Sequence, residues 1–231
     1  MRNSCKISGF ADEIDQSLEK QIKLLNQLNI NYVEFRSANG KGVADYSEEE
    51  AFEAATQLKK SGIGVSAIGS PIGKISITDS FEPHMERLRH IVRLAEIFNT
   101  KYIRMFSFFI PNGQEVYRYK DEVWRRMDEM VNYAAKTNCV LLHENEKDIY
   151  GDIAPRCLEL MESFSSANFS CTFDFANFVQ CKQDTLVAYD MLKPYISYIH
   201  VKDALLGTGD VVPAGSGDGH LREILTDLDK N

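Results

Sequence analysis

Three short stretches of the chain carry side chains of the kinds that bind metal ions and transfer protons. They are HENE at residues 143–146, DFAN at 174–177 and HVK at 200–202. Each stretch lies at the end of a run of apolar or β-branched residues, which is typical of a buried strand. Carboxylates and imidazoles are ligands for divalent metals as well as general acids and bases, so what they can do depends on how the strands place them.

The chain repeats a strand-then-helix pattern. Stretches such as SLEKQIKLLNQL and HMERLRHIVRLAEIF place apolar residues on one helical face, and they alternate with short runs that predict strands. This alternation predicts a parallel sheet with right-handed crossovers. The predicted strands are KISGFA (6–11), NYVEFRS (31–37), GVSAIGS (64–70), KYIRMFSF (101–108), CVLLHEN (139–145), NFSCTFDFA (168–176) and YISYIHVK (195–202).

A run of seven such units without a topological break favours a closed barrel over an open doubly wound sheet. The first turn, GFADEID, also lacks the GxGxxG sequence of dinucleotide-binding folds. The predicted fold class is therefore α/β, a TIM (β/α) barrel, and without any visible linker we expect one domain over residues 1–231. The seventh helix, GHLREILTDLDKN, reaches the last residue, so we expect the barrel to be incomplete at the C-terminus, with about seven β/α units.

The composition limits the classes of partner. A net charge of −8 without clustered Lys and Arg disfavours nucleic acid, and no run of about eighteen apolar residues is present to cross a membrane. The N-terminal stretch has no apolar signal-peptide core. Five widely spaced cysteines without a CxxC pair fit buried thiols in a reducing compartment. We expect a cytoplasmic protein that binds neither nucleic acid nor a membrane.

Three of the polar residues come from successive strand ends, which lie at one rim of a parallel barrel. Glu144, Asp174 and His200 are one residue from each end, and side chains placed in this way can approach a common cation. A mixed carboxylate–imidazole set suits Mn²⁺, Zn²⁺ or Co²⁺, whereas the imidazole makes Mg²⁺ less favoured. The three residues together predict a divalent-metal site.

Each of the three also has a structural explanation when it is taken alone. A lone histidine in an apolar strand, such as His200, is commonly a hydrogen-bonded core residue. Glu144 could form an ion pair at the barrel mouth with Lys147 or Lys202, and Asp174 could cap the following turn. It is the joint occurrence on three neighbouring strand ends that favours the metal site.

Six further polar residues are candidate substrate contacts. A lysine in SPIGK follows the third predicted strand, where a cation could hold a phosphate or carboxylate, although a solvated loop lysine would look the same. The two arginines could instead pair with Glu34 inside the barrel, and the lysine of HVK could instead pair with Glu146. The six candidates are Lys74, Glu146, Asn177, Lys202, Arg36 and Arg104.

Taken together, these motifs resemble the sugar-phosphate isomerase/epimerase group, the xylose isomerase-like TIM barrels. The resemblance implies a divalent metal held by Glu144, Asp174 and His200, with a fourth Glu on an eighth strand that would begin after Asn231. Glu146 stands where relatives often have His. The stretches that carry the resemblance are GFADEID, YVEFR, SAIGSPIGK, LLHENEKDIYGD, FDFANFVQ, YIHVKDA and PAGSGDG.

The resemblance also implies a reaction. The implied enzyme is a metal-dependent sugar or sugar-phosphate isomerase/epimerase, which abstracts a proton next to a carbonyl and forms an enediolate. Glu144 would be the catalytic acid–base, and Mn, Zn, Co or Mg would be the cofactor. The implied partner is a small-molecule sugar or sugar phosphate, with a possible homo-oligomer. Two alternatives stay open: a catalytically impaired, truncated barrel with a binding or assembly role, and an endonuclease IV-like DNA-repair enzyme, which five histidines and an acidic chain disfavour.

Overall fold

The structure, a computed structural model, describes residues 5–230 and divides them into two compact units. Unit 1 contains the described residues up to Ile72 together with Glu82–Arg104. Unit 2 contains Gly73–Phe81 and the described residues from Met105 onward. The expectation of one domain over residues 1–231 stays a prediction.

Unit 1 is built on parallel strands with helices between them. β1 pairs with β4 and β4 pairs with β5, both in parallel, while β2 and β3 form a short antiparallel hairpin. The elements are β1 (Tyr32–Phe35), β2 (Ser37–Ala38), β3 (Lys41–Gly42), β4 (Gly64–Ile68), β5 (Tyr102–Met105), α1 (Leu18–Gln27), α2 (Glu48–Lys60) and α3 (Glu82–Ile97), with 3₁₀ turns at Ala11–Glu13 and Val43–Asp45.

Helix α2 of unit 1 begins at a capping box, and the unit has an apolar core. The Ser47 side chain accepts a hydrogen bond from the Glu50 amide, and the Glu50 side chain returns to the Ser47 amide, which completes a capping box at the start of α2. The core of the unit is apolar and partly aromatic, with the Phe35 ring 4.5 Å from that of Phe98 and 5.5 Å from that of Tyr46. This core fixes the strands against the helices.

The strand predicted at residues 6–11 is absent, which corrects the sequence-based prediction. Residues 5–10 have no regular structure, and a 3₁₀ turn begins at Ala11. A ladder requires repeated backbone pairing. Here the Glu34 amide donates to the Gly9 carbonyl at 3.0 Å, and the Ser8 and Ser66 side-chain hydroxyls lie 2.6 Å apart. The local strand propensity of residues 6–11 was therefore not sufficient to form a strand.

Unit 2 contains the other three parallel strands, in the order β6-β7-β8. Two short strands, β9 and β10, pair in antiparallel fashion. The elements are β6 (Val140–Glu144), β7 (Phe169–Asp174), β8 (Ile196–His200), β9 (Asp203–Ala204), β10 (Val211–Val212), α4 (Lys120–Ala134), α5 (Ala154–Phe164), α6 (Phe175–Gln180), α7 (Thr185–Leu192) and α8 (Leu221–Lys230), with 3₁₀ turns at Val116–Tyr119 and Lys193–Tyr195.

The core of unit 2 explains why its strands read as nearly continuous apolar runs. All five residues of β6 are buried, and the side chains of β7 are buried except at Ser170. Strands covered on both faces carry this pattern. The helix predicted over 219–231 is present as α8, although Asn231 lies outside the described residues. Within residues 5–230, none of the helices combines the length and apolarity needed to cross a bilayer.

Candidate metal centre

The ends of β6, β7 and β8 bring the three predicted ligands to one edge of the sheet in unit 2. Glu144 is the last residue of β6, Asp174 ends β7, and His200 ends β8. The parallel register pairs Asp174 with His200 directly and pairs Glu144 with Thr172. Because parallel strands end at the same edge, these three side chains start from adjacent positions.

The three side chains converge. His200 Nδ1 lies 2.8 Å from Glu144 Oε1 and 3.9 Å from Asp174 Oδ2. One potential ligand atom from each residue falls within 4.8 Å of the others. The side chains of Glu144, Asp174 and His200 are 6%, 3% and 8% exposed, so the cluster is buried.

Two carboxylates at such short range in a buried position repel each other. Burial is the largest cause that raises the pKa of Asp174, to about 7, and the charge of Glu144 adds to it, while Lys202 and His200 act in the opposite direction. A divalent cation between the carboxylates would offset this repulsion. His200 Nδ1 and Glu144 Oε1 now contact each other at 2.8 Å, and both are atoms that could bind a cation instead.

Two asparagines tie the ends of β6 and β7 together. The Asn145 side chain donates to the Asp174 carbonyl at 3.0 Å and accepts from the Asp174 amide at 2.9 Å. Asn177 Nδ2 donates to the Asn145 carbonyl at 2.8 Å and lies 3.5 Å from Glu144 Oε1. Asp174 Oδ1 also accepts from the Asn177 amide, so this residue caps α6 as well as facing the cluster.

The predicted lysines have different partners. Lys202 Nζ donates to Asn177 Oδ1 at 2.9 Å and lies 3.9 Å from Asp174 Oδ2, which places its charge beside the cluster. Lys74 Nζ donates to Glu146 Oε2 at 2.7 Å and lies 4.3 Å from the centroid of the Phe106 ring. The pairing of Lys202 with Glu146 that the sequence left open is thus replaced by pairing with Lys74.

The two predicted arginines belong to unit 1. Arg36 Nε donates to Asp12 Oδ2 at 2.7 Å, and Arg36 Nη2 donates to Glu13 Oε1 at 3.0 Å. Arg104 Nε lies 4.0 Å from Glu34 Oε1, and both guanidinium groups lie over the Phe10 ring. Each arginine therefore has carboxylate neighbours within its own unit, and their role as substrate contacts stays a prediction.

The glycine-rich loop after β8 closes around a carboxylate of the chain itself. The buried Asp203 side chain accepts hydrogen bonds from the amides of Gly215, Gly217 and Gly219 at 2.9–3.0 Å. The sequence of this loop, GTGDVVPAGSGDG, is typical of a mobile loop and less so of a phosphate cradle, because it follows neither the P-loop nor the dinucleotide-binding pattern. The structure shows that Asp203 fills the cradle and anchors the loop next to Lys202.

His143 of β6 forms a buried hydrogen bond with Ser107. The Ser107 hydroxyl accepts from the Gly151 amide at 2.8 Å and lies 2.9 Å from His143 Nε2. Burial lowers the pKa of His143 to about 4, so the ring is neutral. A Cβ on Gly151 would lie 2.6 Å from His143 Cε1, which explains why glycine occupies that position.

Sequence reasoning missed the roles of Asn145, Asp203 and Ser107. A signal for Asp203 exists, because glycines at every second position from 215 to 219 are typical of a loop whose amides surround an anion. Asn145 stands between two carboxylates in HENE, but nothing in the sequence shows that its side chain turns toward β7. Ser107 gives no signal of its contact with a residue 36 positions away.

Comparison with known proteins gives a family for most of the chain. Residues 22–231 match the profile of the family described as xylose isomerase-like TIM barrel. A curated relative, the 3-dehydroshikimate dehydratase of Bacillus anthracis, is 25% identical over 129 residues. That match covers 56% of this chain and 46% of the relative, so the chain matches about half the length of that protein.

Solved structures with the same fold include enzymes and metal complexes. The probable 3-DHS dehydratase AsbF of Bacillus anthracis has 19% identity and a TM-score of 0.80, covering 98% of this chain and 90% of that one. A D-tagatose 3-epimerase-like protein has 16% identity and a TM-score of 0.78, with coverages of 96% and 86%. A Mycobacterium smegmatis protein solved in complex with magnesium has 16% identity and a TM-score of 0.74, with coverages of 96% and 85%. These matches confirm the fold class predicted from the sequence.

Proposed function

The chain belongs to the xylose isomerase-like TIM barrel family, and on that premise we propose that it is a metal-dependent enzyme that isomerises or epimerises a sugar or sugar phosphate. The observation that carries the proposal is the convergence of Glu144, Asp174 and His200 at the end of three parallel strands. Proteins with the same fold include an epimerase-like protein and a magnesium complex, which supports metal-dependent sugar chemistry as the proposal for this chain.

The three residues fit a divalent cation by the chemistry of their donor atoms. Two carboxylates and an imidazole form a mixed oxygen and nitrogen set, which suits Mn²⁺, Zn²⁺ or Co²⁺ and tolerates Mg²⁺. The buried carboxylates also gain from a positive charge, as the raised pKa of Asp174 indicates. A cation held there would act as a Lewis acid toward negative charge that develops on a substrate carbonyl oxygen.

The residues of the chain would bind the substrate and move its proton. Glu144, whose Oε1 lies 2.8 Å from His200 Nδ1, is the proposed acid–base that removes a proton from the carbon next to the carbonyl. The Lys202 ammonium, 3.9 Å from Asp174, places positive charge where an enediolate would be negative, and Asn177 holds Lys202 in position. Lys74 and Glu146 are further proposed substrate contacts, and a homo-oligomer is part of the same proposal.

A dehydratase is the second candidate function. The curated relative that matches 56% of this chain bears the name 3-dehydroshikimate dehydratase, and AsbF is named a probable enzyme of the same kind. Loss of water from a hydroxy ketone begins with the same proton abstraction next to a carbonyl, so the cluster would serve either reaction. The DNA-repair alternative has less support, because the residues described here contain one histidine in a metal-ligand group rather than many.

Solvent deuterium exchange tests the proposed function. The protein is incubated in D₂O with Mn²⁺ and a panel of D-ketohexoses and their 6-phosphates, and deuterium on carbon is measured by mass spectrometry. We expect at least one ketose to gain one deuterium and to yield an isomer or epimer, and we expect EDTA to abolish the exchange, because the barrier to forming an enediolate rises without the cation. A product lighter by one water would favour the dehydratase, while exchange that is indifferent to EDTA would contradict metal dependence.

A further inference from the structure

Aromatic side chains and a carboxylate of unit 2 surround the ammonium group of Lys120. Lys120 Nζ lies 4.7 Å from the centroid of the Trp124 ring and 5.8 Å from that of the Tyr117 ring. It also donates to Glu159 Oε2 at 2.9 Å. Aromatic faces attract a cation at such distances, and three rings with a carboxylate form a recognition site for ammonium ions. The side chains of Tyr117, Trp124, Tyr150 and Glu159 are named here the ammonium box.

Contacts that do not involve Lys120 hold the ammonium box together. The hydroxyl of Tyr150, which is fully buried, donates to Glu159 Oε2 at 2.7 Å, and the Tyr117 hydroxyl donates to Glu159 Oε1 at 3.3 Å. The Tyr150 ring meets the Trp124 ring edge to face at 5.3 Å and the Tyr117 ring at 6.3 Å. Trp124 Nε1 donates to Ser163 Oγ at 3.2 Å. The box therefore keeps its shape when the lysine leaves it.

Three separate segments supply the ammonium box. Tyr117 lies in the 3₁₀ turn Val116–Tyr119, Trp124 lies on α4, and Glu159 lies on α5. The segment between β6 and α5 carries Tyr150, whose amide donates to the Phe108 carbonyl at 3.1 Å. Such a site is built by the fold and not by one stretch of sequence, so its members are fixed relative to one another.

The lysine in the ammonium box can be replaced by a cation from solution. The side chains of Lys120 and Glu159 are 39% and 30% exposed, and Tyr117 is 53% exposed, so the box is open to solvent. Ion pairs at this exposure contribute little, because water screens them and a long flexible side chain loses entropy when it is held. The tethered ammonium is therefore a weak competitor.

The chemistry of the ammonium box selects the kind of cation. Methyl groups on a nitrogen reduce its hydration and fit against aromatic faces, which is how aromatic cages bind methylated amines. Glu159 Oε2 accepts an N–H in the present structure, so a ligand that keeps one N–H can make the same bond. Burial raises the pKa of Glu159, but hydrogen bonds from Lys120 and Tyr150 outweigh it and lower the pKa overall, which keeps the carboxylate charged.

We propose that the ammonium box is a binding site for a small methylated amine in its ammonium form and that Lys120 is a tethered occupant that competes with it. The N–H of the ligand would donate to Glu159, and its methyl groups would face Trp124 and Tyr117. The proposal is independent of the proposed function, because the metal-ligand group consists of other residues.

The single tryptophan of the chain makes the test specific. Trp124 is the only Trp, so the one indole signal in a proton–nitrogen NMR spectrum belongs to the ammonium box. Wild-type protein and Lys120→Ala are titrated with trimethylammonium chloride, and sodium chloride at equal ionic strength is the reference. Lys136→Ala is the matched control, because Lys136 is exposed and lies just after the end of α4.

We expect trimethylammonium to shift the indole signal of Lys120→Ala with a Kd on the order of millimolar, and its methyl protons to move upfield over the rings. Wild type and Lys136→Ala should bind about tenfold more weakly, since the tethered ammonium competes. Adding Glu159→Gln to Lys120→Ala should weaken binding by about threefold or more, because the charged acceptor is lost.

Two results would overturn the proposal. One is an indole signal in Lys120→Ala that responds alike to trimethylammonium and to sodium. The other is equal affinity in wild type and Lys120→Ala, which would show that Lys120 does not occupy the ligand position. If Lys120→Ala loosened the box itself, the wild-type titration would decide alone, and the lack of a trimethylammonium-specific shift there would overturn the proposal.

Discussion

Replacing Asp174 by Asn is expected to lower the affinity for Mn²⁺ by at least ~100-fold, since substitutions of residues that merely support metal ligands already cost about 10–100-fold. Asn keeps the size of the side chain and can still accept the Asn177 amide hydrogen bond that caps α6. The variant therefore removes a charge from the cluster without removing the cap. Deuterium exchange at the substrate carbon should fall with the metal.

The unfolding temperature of the metal-free protein is a second measure of the effect of Asp174→Asn. Burial raises the pKa of Asp174 from its ordinary value of 3.8 to about 7, so the free energy of unfolding of the metal-free protein falls as the pH rises between these values and stays lowered above them. At pH 8, Asp174→Asn should therefore unfold at the same or a higher temperature than wild type without metal. Added Mn²⁺ should raise the unfolding temperature of the wild-type protein and leave that of the variant unchanged.

Asp184→Asn is the matched control for this prediction. Asp184 caps α7 by accepting from the amides of Leu186 and Val187, so it provides the same chemical change at a comparable cap. It should retain wild-type affinity for Mn²⁺. Equal Mn²⁺ affinity in Asp174→Asn and Asp184→Asn would show that Asp174 is a cap and not a ligand.

Substitution of Gly73 by Ala is expected to destabilise the protein by at least about 3 kcal/mol, combining left-handed backbone strain with an overlap that forces the backbone to move. Gly73 has a φ of 87°, and a Cβ there would overlap the Phe106 carbonyl, which is backbone and cannot rotate away. Because Lys74 is the next residue, the shift should also disturb the ion pair with Glu146. Chemical denaturation measures the free energy of unfolding, and exchange kinetics measure the effect on the site.

Gly113→Ala separates the two causes. Gly113 has a φ of 75°, but an added Cβ there meets no atom within 4 Å. Its substitution should cost only about 1–2 kcal/mol, which is the penalty of a left-handed conformation alone. If the two variants were equally stable, the close approach between Gly73 and the Phe106 backbone would have no energetic importance.

The sequence predicted the strands whose residues are buried on both faces and the polar residues that end them. Apolar runs ending in Glu144, Asp174 and His200 are visible without coordinates, because a parallel strand needs continuous apolar character and its polar end is abrupt. The convergence of these three residues followed from the rule that parallel strands end at one rim. The strand at residues 6–11 failed because local propensity does not supply a pairing partner.

Contacts between distant loops could not be predicted in the same way. Lys74 and Glu146 are 72 positions apart, and their pairing depends on loop conformations that include a strained Phe108. The sequence offered Lys202 as a possible partner for Glu146, whereas the fold pairs Glu146 with Lys74. Similarly, the glycines of PAGSGDG suggested an anion cradle, but they could not show that Asp203 provides the anion.

The central claim is that Glu144, Asp174 and His200 bind one divalent cation, and the position of Mn²⁺ in a crystal tests it most directly. An anomalous-difference map from crystals grown with Mn²⁺ should show a peak about 2.0–2.3 Å from one atom of each of the three side chains. The Asp174→Asn crystals should lack that peak. A wild-type map with no peak among these residues, or with Mn²⁺ bound elsewhere on the chain, would contradict the account.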